Sequence, residues 1–238
     1  VQKIAVLKNR KRKMIYESID TLGTMIVLGT IVAAIAIIFS AYMLLRPGWR
    51  FARCNALILL ALIFDLLFSL RVFEPSALRR QGALVEPGTE LLYCFVVPLA
   101  VWTIALFVWK FMREVNDDMP LSWTIWPQTF RAIGGIFLVY WAVGQMNGGF
   151  AIPAGLGDLF VGITAPLMTR YVRSRTYSTR LVAIWNLLGV LDFVVAFATG
   201  FIFNTPTSYP LVLIPGFLVP IALGFHLHSL RKLWRRTA

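Results

Sequence analysis

Asp65, Asp158 and Asp192 each interrupt a run of residues long and apolar enough to cross a bilayer. A charge at membrane depth costs about 3 kcal/mol on insertion scales, so acids kept there usually serve ion or proton traffic. No Lys or Arg lies deep in any of the three runs, so no cation is expected to neutralise them. Two carboxyls close together in a low dielectric do not both ionise readily, which favours a shared proton or a bound cation. The plainer reading is a neutral carboxyl that bonds a backbone carbonyl, Asn186 or Thr199 and holds helices together. Binding of a polar substrate is a third reading. On this basis Asp158, Asp192 and Asp65 are the candidate proton or cation site, with Asn186, Thr199 and Asn55 as supporting polar groups.

Helices must carry these acids. Over 151–169, at about 100° per residue, Ala151, Ala154, Gly155, Asp158, Gly162, Ala165 and Thr169 share one face, and Leu156, Phe160, Ile163 and Leu167 share the other. The small, polar face should meet other helices and the bulky face should meet lipid. The same logic groups Asn186, Gly189, Asp192, Ala196, Thr199 and Gly200, and also Asn55, Ala61, Asp65 and Ser69. Asp158 lies twelve residues before Arg170, and Asp192 lies twelve after Arg180. In an antiparallel hairpin both carboxyls then sit about 18 Å from one basic boundary.

Composition fixes the class. The chain has 238 residues, 58% hydrophobic and 14% charged, with a mean hydropathy of +0.74. Soluble domains are about 25% charged. The expected fold is all-α, a polytopic transmembrane helical bundle. The net charge of +12 sits at the ends of apolar runs, as topology signals and headgroup contacts do, so no nucleic-acid partner is expected. A basic N-terminal tail covers 1–20, the bundle 21–230 and a basic cytoplasmic tail 231–238.

Seven apolar segments are visible, at about 21–45, 54–73, 91–112, 132–147, 152–169, 181–203 and 209–230. Seven spans are expected, or six if the short fourth segment lies at the interface. The positive-inside rule puts the C-terminus in the cytoplasm, while the basic N-terminal tail fits that rule better with six spans. Trp49, Trp109, Trp123, Trp126 and Trp234 lie near segment ends, as interface anchors do.

Other candidates carry less chemistry. Pro153 suits a first helical turn. Pro215-Gly216 and Pro220 fall inside the last segment and are predicted to break that helix. His226 and His228 point to different sides of a helix, as core or interfacial residues would, and not as a metal pair. Cys54 and Cys94 suit buried, inert thiols. Gly155-Leu156-Gly157 suits close helix packing. No catalytic residues, metal or cofactor are expected, and the chain is not expected to be an enzyme.

Residues 132–238 resemble a set of uncharacterised bacterial multi-pass membrane proteins. The resemblance rests on PAGLGDLFVGITAP (153–166), WNLLGVLDFVVA (185–196) and LVLIPGFLVPIALGFHLHSL (211–230). It implies a bacterial inner-membrane location and no particular chemistry. The expected function is a small proton- or cation-coupled transporter using buried aspartates. The alternative is a non-catalytic accessory or assembly subunit of a larger membrane complex. Expected partners are the lipid bilayer and a membrane-protein partner or a second copy of the chain.

Overall fold

The computed structural model describes residues 17–18, 21–37, 63, 96–97, 99–101, 103–110, 113–114, 117, 119–174, 176–203, 205, 211 and 213–237. Asp65, Asn55, Cys54, Cys94 and Trp49 lie outside these residues. The described residues form helices and turns, with no strand among them. They comprise α1 (Thr21–Ile37), α2 (Leu121–Ile125), α3 (Ile136–Ala142), α4 (Gly148–Arg173), α5 (Thr179–Ile202) and α6 (Val219–Thr237).

α2 and α3 are one rod. A ten-residue 3-10 helix, Trp126–Gly135, joins them without a break. Such runs are seldom longer than three or four residues. With three residues per turn, Ile125, Gln128, Arg131, Gly134 and Phe137 stay in one row, and all five are buried. In an α-helix each step of three would drift by about 60° and spread the row around the rod. The expected fourth segment, 132–147, is therefore displaced: the rod starts at Leu121 and ends at Ala142. Arg131 and its polar neighbours look like a segment boundary to hydropathy, yet they lie mid-rod.

The rod ends in a Schellman turn. Gly144 takes φ 76°, its N–H bonds Trp141 O at 2.9 Å, and Gln145 N–H bonds Tyr140 O at 2.8 Å. Asn147 then caps α4 by accepting from Gly149 N–H. Because α4 begins at Gly148, Pro153 sits beyond its first turn, contrary to the sequence reading. α6 is preceded by a π turn over Ile214–Leu218, closed by the Val219 N–H bond to Ile214 O. Pro215 opens that turn, so the helix break takes the form of a widened turn. Pro220 follows directly on that π turn, in helix that runs without interruption from Leu213.

The rod, α4, α5 and α6 run alternately up and down. Gly155 packs against Leu138, and Gly162 against Ala132. Trp185 Nε1 donates to Thr164 Oγ1 at 2.9 Å between α5 and α4. α6 closes the bundle on the rod, where Gln128 Nε2 donates to Ala222 O at 2.8 Å and Thr124 and Ser229 share a hydroxyl bond at 2.7 Å. α1 lies on the rod, with Gly23 facing Tyr140. One end of the bundle is basic. There Asp117 pairs with Arg231 at 3.2 Å and Arg235 at 2.8 Å, and Lys232 Nζ donates to Met119 O. At the other end the connection 143–148 carries no charged residue.

The predicted faces of α4 are observed. Its seven small or polar positions are all buried, and Leu156, Phe160, Ile163 and Leu167 are at least half exposed. α4 and α5 are long and apolar enough to cross a membrane. Among the described residues these are the two that are, so seven spans are not carried by the structure.

A Cβ added at Gly144 would meet no atom within 4 Å, so the demand for glycine there is purely one of backbone. Gly144→Ala should cost about 1 kcal/mol through the left-handed backbone alone. Gly144→Asn should cost less. Thermal unfolding of detergent-purified variants checks the order, and equal midpoints for all three would contradict the turn.

Candidate functional site

The row Gln128–Arg131–Gly134 delivers one guanidinium to the middle of the bundle. Arg131 is 2% exposed. Its Nε donates to Asp158 Oδ1 of α4 at 2.7 Å, and its Nη2 donates to Asp192 Oδ2 of α5. Its Nη1 donates to Gly189 O at 3.2 Å and lies 3.1 Å from His226 Nε2 of α6. The Phe193 ring stacks on the same cation, 3.9 Å from its carbon. Charge-assisted bonds of this kind are shorter and stronger than neutral ones.

The bonding fixes the histidine. Arginine has no acceptor, so His226 Nε2 must accept from Nη1. His226 Nδ1 then carries the proton and donates to Asn186 Oδ1 at 2.9 Å. Asn186 Nδ2 in turn donates to Val182 O at 2.8 Å. The imidazole is neutral, fully buried and flanked by Trp185 and Phe193.

Glycines make the room. A Cβ at Gly134 would overlap the Asp158 carboxyl, and one at Gly157 would overlap that of Asp192. One at Gly189 would overlap the His226 ring. Gly157, the second glycine of the Gly155-Leu156-Gly157 pair, thus clears the site as well as packing helices.

The structure brings Asp158 and Asp192 together on Arg131, with Asn186 bonded to His226 and to neither carboxyl. It does not bring Thr199 to them, because that hydroxyl donates to Val195 O of its own helix at 2.7 Å. Pro215 lines a cavity of about 70 Å³ beside the site, and Pro220 does not. This cavity runs between Phe137, Phe150 and Phe197 and has Asp158 as its charged wall. Thr205 also lines it and contributes a buried hydroxyl with no hydrogen-bond partner.

Two groups were missed or underweighted by sequence reasoning. Arg131 contradicts the expectation that no cation neutralises the acids. It escaped because it stands outside the apolar run of either partner, on a third helix. The period of three in Gln128, Arg131 and Gly134 was the available signal. His226 is a core residue, as one of its two readings had it, but its bond to Arg131 had no local signature. Among the described residues no group of three or more His, Cys, Asp or Glu could hold a metal.

Fold and site together define an antiparallel helical bundle built around a buried arginine–dicarboxylate centre. The chain belongs to the DUF8737 family, a domain of unknown function, which matches residues 87–234. That stretch contains Arg131, Asp158, Asp192 and His226. No curated protein and no solved structure matches the chain.

Removing one partner of a buried ion pair costs about 3–5 kcal/mol, because the other charge is left unpaired. Arg131→Gln should therefore destabilise the bundle by that order, and Arg131→Gln with Asp158→Asn and Asp192→Asn should recover much of the loss. Thermal midpoints of the single, double and triple variants check this coupling. Strict additivity would contradict a shared centre.

Proposed function

We propose that the chain is a multi-pass membrane protein whose Arg131–Asp158–Asp192 centre binds a proton or a monovalent cation and couples it to transport of a small solute. The observation that carries this reading is a charge imbalance beside a cavity. Two carboxylates share one guanidinium, and the imidazole that completes the ring of partners is neutral. With both carboxyls ionised the cluster holds one uncompensated negative charge. A proton or a single cation balances it, and the cavity against Asp158 has volume for more than one water-sized guest. The π turn at Ile214–Leu218 walls the same cavity, a type of defect frequent at functional sites.

The membrane part of the reading is supported by an inverted distribution of polarity. Arg131, Asp158, Asn186, His226 and Gln128 lie inside, while Leu156, Ile163, Leu187 and Leu191 face outward. Such an arrangement suits lipid as solvent. The rod is about 38 Å long by the rises of its α and 3-10 turns, more than the roughly 30 Å hydrocarbon core. The cluster of Arg170, Arg173, Arg231 and Arg235 at one end favours a cytoplasmic C-terminus. The sequence resemblance supports a bacterial inner-membrane location.

A second reading is an accessory or assembly subunit of a membrane complex. It is favoured by the bonding of Arg131 to three helices at once, which is also what a rigid structural tie provides. The reading takes the chain to be no enzyme.

Reconstituted protein should bind one proton or cation per centre, and Asp192→Asn should abolish it while leaving the particle folded. Infrared difference spectra taken across a pH or sodium step report this as a carboxyl band that the variant lacks. A spectrum without any carboxyl change would leave the tie reading in place. Topology is checked separately: Thr237→Cys, in a chain with Cys54→Ser and Cys94→Ser, should react with a thiol reagent only from the cytoplasmic side.

A further inference from the structure

The basic end of the bundle holds a second site. A groove of about 810 Å³ opens between the end of α1, the start of the rod and the end of α4. Its volume falls in the range of ligand sites, about 300–1,000 Å³. Ile37, Pro127 and Pro166 give it apolar walls, and Trp123 and Trp126 also line it. Indole rings favour the headgroup level of a bilayer.

Three groups of α4 give the groove a polar floor. Arg170 and Arg173, three residues apart, share one side of the helix and are exposed. No carboxylate among the described residues pairs with either, whereas Arg231 and Arg235 at the same end both bind Asp117. Beside them Thr169 is 3% exposed, and its hydroxyl has no hydrogen-bond partner. This contrasts with Thr30, Thr164 and Thr199, which all donate to the carbonyl four residues back. A buried hydroxyl left unbonded is costly. It lies in the groove wall, next to the two arginines.

We propose that this groove binds the phosphate headgroup of an anionic phospholipid, with Arg170 and Arg173 on the phosphate, Thr169 donating to it and the acyl chains leaving along the apolar walls. Basic pockets between helices at the cytoplasmic face hold such headgroups. The α4 C-terminus presents its negative dipole end, so the attraction comes from the two arginines and not from the helix. The proposal rests on the membrane reading above and is independent of the Arg131 centre.

Native mass spectrometry of the full chain, purified in mild detergent and offered phosphatidylglycerol or phosphatidylcholine, tests it. The expected result is retention of one anionic lipid with roughly 30-fold preference over the zwitterionic one. Arg170→Gln with Arg173→Gln should remove most of that preference, and Thr169→Val, which keeps the packing volume, should weaken it several-fold. Arg180→Gln removes an exposed charge outside the groove and should leave it unchanged. Equal retention of both lipids, or equal loss in the Arg180 variant, overturns the site. Binding of inorganic phosphate alone, with displacement of the lipid, would also overturn it in favour of a free phosphate site. Release of the chain from membranes by alkaline carbonate would instead sink the membrane reading itself.

Discussion

A guanidinium carries five N–H donors in a rigid plane, and a buried one must find acceptors for them. Arg131 places four of its five on one carboxylate from α4, one carboxylate and one carbonyl from α5, and one imidazole nitrogen from α6. These partners come from every other helix of the up-and-down bundle. The requirement therefore fixes which face each helix turns inward and at what height. It also explains the glycines at 134, 157 and 189, each of which stands where a side chain would displace a member of the cluster.

The rest of the bundle is layered around this centre. One apolar cluster, with Val27, Phe137, Phe217 and Phe225, runs along α1, the rod and α6 as far as Met119. A second, with Ile125, Val161, Val182 and Leu233, fills the basic end. The polar centre packs against both clusters, with Arg131 and His226 buried and Asp192 part-buried. Low dielectric strengthens each bond there and makes any unpaired member expensive. A centre with one cation and two acids is thus stable only with a further positive charge or a proton.

How much of this was legible follows from where the signals lie. The faces of α4 were legible because one helix records its own periodicity. Asp158 and its small neighbours turned inward, and the bulky side chains turned outward, as 100° steps require. The shared depth of Asp158 and Asp192 was legible because both were measured from the same hairpin. Arg131 was not legible in that way. Its partners are 27 and 61 residues away, and hydropathy treats an arginine as the edge of a segment. The same cause displaced the fourth segment: its apolar run opens at Ala132, but the rod around it opens at Leu121, because a charge satisfied by tertiary bonding does not end a helix. The 3-10 geometry hid the row as well, since an α-helical period scatters Gln128, Arg131 and Gly134. Thr199 shows the reverse error. It lay on the right face, but a helical threonine close to its own carbonyl bonds locally first.

The most direct test of the centre is the distance between the Arg131 guanidinium and the two carboxyls in lipid. Solid-state NMR of protein labelled with ¹⁵N-arginine and ¹³C-aspartate measures that dipolar coupling. The expected result is one guanidinium signal coupled to two carboxyl carbons, with one coupling lost in Asp158→Asn and the other in Asp192→Asn. An arginine signal coupled to neither carboxyl would contradict the centre on which the bundle is built.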